Sequence, residues 1–214
     1  MRITHLGHSC VLVETGTARV LIDPGNFTDA WRGLTGLDAV LVTHQHPDHI
    51  DPEHVGSLLD ANPAAIVAVE PSVPDIVALP ERTIRLAAEA TLRVGDLKVK
   101  AVGGTHALIH PDIPRVGNVG LVLAAPGEPV VFHPGDALDA APSGIDVVLV
   151  PAQAPWSATR EVVEFVRAVG ATQGFLIHDG LVNHRGRALV TTHLTNLTST
   201  RLADVRDTRP WCPA

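Results

Sequence analysis

Short apolar runs separated by turn residues dominate the first half of the chain. Residues 2–6, 10–14 and 19–22 read as consecutive strands, with Thr15-Gly16-Thr17 as a tight connection. Residues 37–43 form another apolar run, ending in a histidine-rich segment. Residues 50–59 have helical spacing, and Asp51-Pro52-Glu53 offers an N-cap followed by proline at the first helical position. A strand over 64–69, a short helix over 75–79 and a hairpin over 90–102 turning at Gly95-Asp96 are predicted next. Residues 116–125 and 129–132 read as a second hairpin around Pro126-Gly127. In the second half, 145–150 is a bare apolar strand. Residues 157–169 predict a helix with Val162, Val163, Phe165, Val166 and Val169 on one side. Gly170 stops it, and 174–177 returns as a strand; beyond 183 the periodicity fades. Because the strands cluster in pairs, the spacing predicts one α/β domain over 1–214, a two-layered sheet flanked by helices rather than a doubly wound one.

Composition sharpens this picture. Hydrophobic residues make up 45% of the chain and charged residues 18%, which excludes global disorder. With three Trp, four Phe and no Tyr, the core must come from Val, Leu, Ile and Ala, residues suited to buried strands. Acids outnumber bases 23 to 16, the wrong balance for gripping a phosphate backbone, so nucleic acid is not an expected partner. Cys10 and Cys212 share no metal or redox spacing and read as reduced thiols. No apolar h-region opens the chain and no run reaches the ~18 residues of a membrane span, so a cytoplasmic protein is expected. The outlier is histidine, 12 residues against 16 Lys and Arg together.

Four of those histidine and aspartate positions fall in Thr43-His44-Gln45-His46-Pro47-Asp48-His49. His44 and His46 lie two apart at the end of a predicted strand, so both rings point to the same side. Pro47 ends the ladder, and Asp48 and His49 turn back toward the same space. Three imidazoles and a carboxylate form a borderline-soft donor set suited to zinc, iron or manganese.

This segment resembles the signature loop of the metallo-β-lactamase superfamily. Ile3-Thr4-His5-Leu6-Gly7-His8-Ser9 and Val20-Leu21-Ile22-Asp23-Pro24-Gly25 match it in order. The Leu6-Gly7-His8-Ser9 opening is similar to the branch that contains bacterial ascorbate-6-phosphate lactonase and N-acyl-phosphatidylethanolamine phospholipase D. The resemblance runs from residue 1 to about 182. It implies the metallo-β-lactamase-like αβ/βα sandwich, two facing mixed β-sheets flanked by helices. Carried over residue by residue, it adds the ligands His106 in Gly103-Gly104-Thr105-His106, Asp136 in Gly135-Asp136 and His178 in Ile177-His178. It divides them as His44, His46 and His106 on one metal ion, Asp48, His49 and His178 on the other, with Asp136 between. The implied cofactors are two divalent ions, zinc by default with manganese or iron as alternatives, and the implied catalytic residues are Asp48 and Asp136. Asp23 matches a position that orients the metal loop, and His8 one that lies against the substrate or behind the ligands. The sequence departs from the pattern at Ala137, where threonine is usual, and at Asp179-Gly180, where an aromatic residue often follows the last histidine.

His110, between Ala107 and Pro114, lies on a loop placed to rim the pocket, and His133 either reaches the metal surroundings or is simply buried. His5, His54, His184 and His193 show no pattern and read as solvated. The activity implied is hydrolysis of an ester-type bond in a small-molecule substrate, a phosphodiester or a lactone, by a water ionised between two metals. A thioester hydrolase on the same scaffold and a non-catalytic metal-binding relative stay open, as does a homo-oligomer. Neither a Gly-x-Ser-x-Gly nor a Walker A sequence competes with the metal reading.

Overall fold

A computed structural model describes residues 1–213; residue 214, the last of the predicted domain, lies outside the described residues. Its first sheet contains β1 (Arg2–Gly7), β2 (Cys10–Glu14), β3 (Arg19–Ile22), β4 (Ala39–Val42), β5 (Ile66–Val69) and β6 (Ile84–Arg85), in that order. The first two pairings are antiparallel and the rest parallel. The second sheet is built from β7 (Thr91–Val94), β8 (Leu97–Gly103), β9 (Val119–Ala124), β10 (Val131–His133), β11 (Val147–Pro151), β12 (Gln173–Ile177) and β13 (Arg201–Leu202). It runs antiparallel from β7 to β10 and parallel from β10 to β13. Three helices cover the outside: α1 (Val55–Ala61), α2 (Thr159–Val169) and α3 (His184–Leu197). This is the metallo-β-lactamase αβ/βα sandwich.

Strand alternation explains why the apolar runs are unbroken. Val20 and Ile22 of β3 pack between the sheets with Leu121 and Leu149, while Leu21 packs outward under α1 with Leu58. Across the sandwich, Val148 and Leu176 turn outward under Val162 and Val166 of α2 and Leu194 of α3. Strands covered on both faces have no polar side to show. The same parity corrects one expectation. His5 shares its face with Ile3 and is buried rather than solvated, its ring 5.8 Å from Phe175 and its Nε2 2.8 Å from the His8 carbonyl. His184 is exposed and His193 half-buried.

Element boundaries shift where side chains compete with the backbone. The helix predicted from residue 50 starts at Val55, because the Asp51 carboxylate accepts from the Glu53 and His54 amides and holds a turn there. The helix expected at 75–79 is a 3-10 turn over Val73–Asp75. Helix α3 lay where the periodicity faded. Only Arg187, Val190 and Leu194 are buried along it, but Asn183 caps it by accepting from the Arg185 and Gly186 amides. No helix of the described residues is long and apolar enough to cross a membrane. Cys10 is buried and Cys212 exposed, and both are free thiols.

Candidate metal centre

The candidate residues follow the C-terminal ends of strands from both sheets: His8 after β1, Asp23 after β3, His44 to His49 after β4, His106 after β8, Asp136 after β10 and His178 after β12. Two backbone bonds close the seam between the sheets there, Val119 N–H to the Thr43 carbonyl and His178 N–H to the His8 carbonyl, each 2.9 Å. The backbone is forced into position. His8, Asp23 and His178 sit at φ near +50°, a left-handed conformation uncommon outside glycine. Gly135, at φ +62°, turns the chain into Asp136, and a Cβ there would stand 2.2 Å from Asn118 Oδ1. Asn118 holds that turn by accepting from the Asp136 amide and donating to the Pro134 carbonyl.

Three overlapping groups of donor atoms result, the third being His44, His49 and Asp136. His44, His46 and His106 converge within 4.8 Å of one another, and Asp48, His49 and His178 converge likewise with His8. Asp136 reaches both: its Oδ1 is 3.1 Å from His49 Nε2, and its Oδ2 is 3.2 Å from His178 Nε2 and 3.5 Å from His106 Nε2. His44 Nε2 and His46 Nδ1 are 3.1 Å apart. Ligand atoms at 2.0–2.1 Å from one tetrahedral zinc lie about 3.3–3.4 Å from each other, so these spacings fit.

Hydrogen bonds behind the rings fix which nitrogen faces inward. His49 Nδ1 donates to Asp23 Oδ2 at 2.6 Å, His106 Nδ1 to the Ala107 carbonyl at 2.6 Å and His178 Nδ1 to the Gln153 carbonyl at 2.6 Å. Each leaves Nε2 inward, the arrangement that orients metal-binding histidines. Five buried side-chain polar atoms of the described residues have no hydrogen-bond partner, and four are His49 Nε2, His106 Nε2, His178 Nε2 and Asp136 Oδ1. His49 Nε2 and Asp136 Oδ1 stand 3.1 Å apart, yet neither is hydrogen-bonded. Unpaired buried polar atoms are costly, and a cation bound among them removes the cost. The donor set therefore fits divalent metal ions.

His8 behaves differently from the other rings. Its Nδ1 accepts from the Gly180 amide at 3.1 Å, so its Nε2 carries the proton and donates to Asp48 Oδ2 at 3.0 Å. It stands behind Asp48 as a hydrogen-bond donor, and burial, outweighing Asp48, keeps its pKa low and the ring neutral. Asp23 is fully buried and accepts from the Thr43 amide, the Thr43 hydroxyl and His49. His133 is buried, accepts from the Gly135 amide and donates to the Ser9 carbonyl. His110 does not reach the centre: its ring is 60% exposed, 3.6 Å from Asp112, and its neighbour Ile109 lines the cleft instead. Trp156, on the loop between β11 and α2, was not anticipated; its indole N–H donates to Asp136 Oδ2 at 2.9 Å. Its only sequence signal was a rare aromatic residue just past a strand end.

The charges are strongly coupled. Burial favours neutral rings at His44 and His46, where it dominates. It is overcome at His49, raised by Asp136 and Asp23, and at His178, raised to about 9 by Asp136 and Asp48. Burial also opposes ionisation of Asp136, yet His49, His106 and His178 hold it well below the usual carboxylate range. A cleft of about 350 Å³ opens over His46, Asp48, His106, Asp136 and His178.

The beta-lactamase superfamily domain matches residues 2–173, most of the chain. The chain belongs to the beta-lactamase superfamily. It is 42% identical to protein Rv0786c of Mycobacterium tuberculosis over 94% of each chain. It is 34% identical to a UPF0173 metal-dependent hydrolase of Xanthobacter autotrophicus over 64% of this chain and 62% of that one. Among solved structures it superposes on the metallo-beta-lactamase fold protein YhfI of Bacillus subtilis with a TM-score of 0.69, at 18% identity and 98% coverage of both chains.

Proposed function

We propose that this superfamily member is a hydrolase holding two divalent metal ions, zinc by preference for a donor set of imidazole nitrogens and carboxylate oxygens. His44, His46 and His106 would hold one ion and Asp48, His49 and His178 the other, with Asp136 reaching both. The observation that carries this reading is the set of four unpartnered, buried donor atoms aimed inward around the Asp136 carboxylate. The similarity to a protein named as a metal-dependent hydrolase supports it. Bound there, such ions lower the pKa of water toward neutrality and polarise the oxygen of a scissile bond.

The chain's own residues supply position and charge. Asp23, Ala107 and Gln153 hold the ligand rings by their Nδ1 protons. Although burial opposes its charge, Asp48 is kept ionised by His178 and His8 and lies 20% exposed in the cleft. It therefore accepts a hydrogen bond from an attacking water rather than giving up a proton. Asp136, fixed by Trp156, balances positive charge between the two clusters. The bond cleaved is of the ester type, a phosphodiester or a lactone. Elemental analysis of the reconstituted protein should give close to two metals per chain, and one or fewer would refute the dinuclear arrangement. A panel of bis-p-nitrophenyl phosphate, lactones, thioesters and nitrocefin should show ester or lactone cleavage. No turnover of any of them at full metal content would refute the hydrolase reading.

A further inference from the structure

We propose that the substrate is an uncharged carboxylic ester or lactone bearing an apolar chain or ring, seated against Trp156, rather than a phosphodiester. This deepens the hydrolase reading and rests on it. Metal ions would take the reacting oxygen of either class, so the rest of the substrate must discriminate. There the walls are apolar: Phe27, Ile109, Pro155, Trp156 and Leu181 line the cleft beside the candidate ligands. Phe27 and Leu181 are 47% and 50% exposed at one cleft, where large apolar side chains mark a binding surface. Among the described residues no Lys or Arg lines this cleft, and beyond the candidate ligands and Trp156 its one polar side chain is Asn26.

Trp156 also lines a neighbouring cavity of about 580 Å³, walled by Ala107, Leu108, Leu138, Phe165 and Ala168. Its single cation, Arg115, is engaged through Nε with the His106 carbonyl at 2.5 Å. The other charged residues there are Asp139, Glu161 and Glu164, with Glu161 bonded to the Ala158 amide and Glu164 to Arg167. Phosphate recognition uses arginine forks or lysine; here the one cation, Arg115, is tied through Nε, and the rest of the surface is apolar area and carboxylates. Because the indole N–H is tied to Asp136 Oδ2, the ring that separates cleft from cavity is held at a fixed angle to the reacting centre. An acyl group crossing its edge enters the larger cavity.

The test is a p-nitrophenyl ester series from acetate to decanoate, with matched γ-lactones and bis-p-nitrophenyl phosphate, on protein of measured metal content. The expected kcat/KM rises up to about fourfold per added methylene until the cavity is filled, with the phosphodiester at least about a hundredfold below the best ester. Leu108→Glu, at a side chain already 53% exposed, should collapse the long-to-short ratio at least about tenfold at unchanged metal content. Calorimetry of N-methyldecanamide with metal-free protein gives a second readout, with binding expected in the parent and weakened in Leu108→Glu. A flat chain-length profile, a preference for the phosphodiester, or no amide binding would overturn this assignment while leaving a two-metal hydrolase standing. A metal content of one or less would strike that underlying reading instead, and the amide titration would still decide the apolar site.

Discussion

Replacing Asp23 by asparagine tests how the ligand rings are held. Asp23 Oδ1 takes the Thr43 amide at 2.8 Å, and Oδ2 takes the Thr43 hydroxyl at 2.7 Å and His49 Nδ1 at 2.6 Å. Asparagine keeps the shape but places an NH2 donor where Oδ2 stood. His49 Nδ1 must then accept, and its proton moves to Nε2, the atom aimed at Asp136 Oδ1. The flipped amide is no better, since it sets a donor against the Thr43 amide. A carboxylate behind a ligand histidine is worth 10–100-fold in metal affinity, about 1.4–2.7 kcal/mol. The charge-assisted bond adds about 1.5–3 kcal/mol to the metal-free fold. Competition with a chromophoric chelator at pH 7.5 should show the affinity loss, and urea unfolding of metal-free protein the stability loss. Asp23→Ala, which orphans three buried donors, should cost more, about 3 kcal/mol or above. An asparagine variant that binds both metals with parent affinity would refute the tautomer argument.

Asp136→Ala should lose one or both metals and at least about a thousandfold in rate, whereas His54→Ala, whose 42% exposed ring pairs with Asp51, should stay within about twofold by elemental analysis and initial rates. Metal uptake at pH 7.5 should release protons, because His49 is raised well above its ordinary pKa and His178 to about 9, yet both must be neutral to ligate; calorimetry in two buffers of different ionisation enthalpy measures this, and zero release would contradict it. Since both folded pKa values lie above the unfolded one, their contribution to the metal-free fold is full below about pH 6.5; that of His178 is lost as pH rises through about 9, and that of His49 is lost in the same direction. Metal-free protein should therefore unfold at lower urea at pH 10 than at pH 7. Gly135→Ala should cost about 2–5 kcal/mol and disturb metal binding, from left-handed strain plus overlap with Asn118, while Gly127→Ala, at φ +72° in open space, should cost only about 1–2 kcal/mol; equal losses in urea unfolding would show that the crowding at Gly135 is unimportant.

The sequence made legible whatever rests on period and adjacency. Unbroken apolar runs marked the two-sided strands, and the residues just past their ends marked where donors converge. Helix α3 was hidden because Thr, Asn, His, Arg and Gly occupy most of its length and only three side chains are buried along it. His5 was misjudged for want of parity: reading it two residues after Ile3 places it on the inner face. Contacts between distant loops left no local trace. Trp156 meets Asp136 across 20 residues and Asn118 holds its turn across 18, and neither sits in a periodic pattern. For His110 adjacency misled, since the 107–114 loop follows His106 yet turns its histidine to solvent.

The three left-handed positions, His8, Asp23 and His178, place backbone strain around the candidate metal centre. Each non-glycine residue held there costs of order 1–2 kcal/mol. Glycine, which weakens most positions by loosening the unfolded chain, would at these three release backbone strain while deleting a ring or carboxylate of the centre. At Asp23 that release is outweighed, because orphaning the Thr43 amide, the Thr43 hydroxyl and His49 Nδ1 costs about 3 kcal/mol or above.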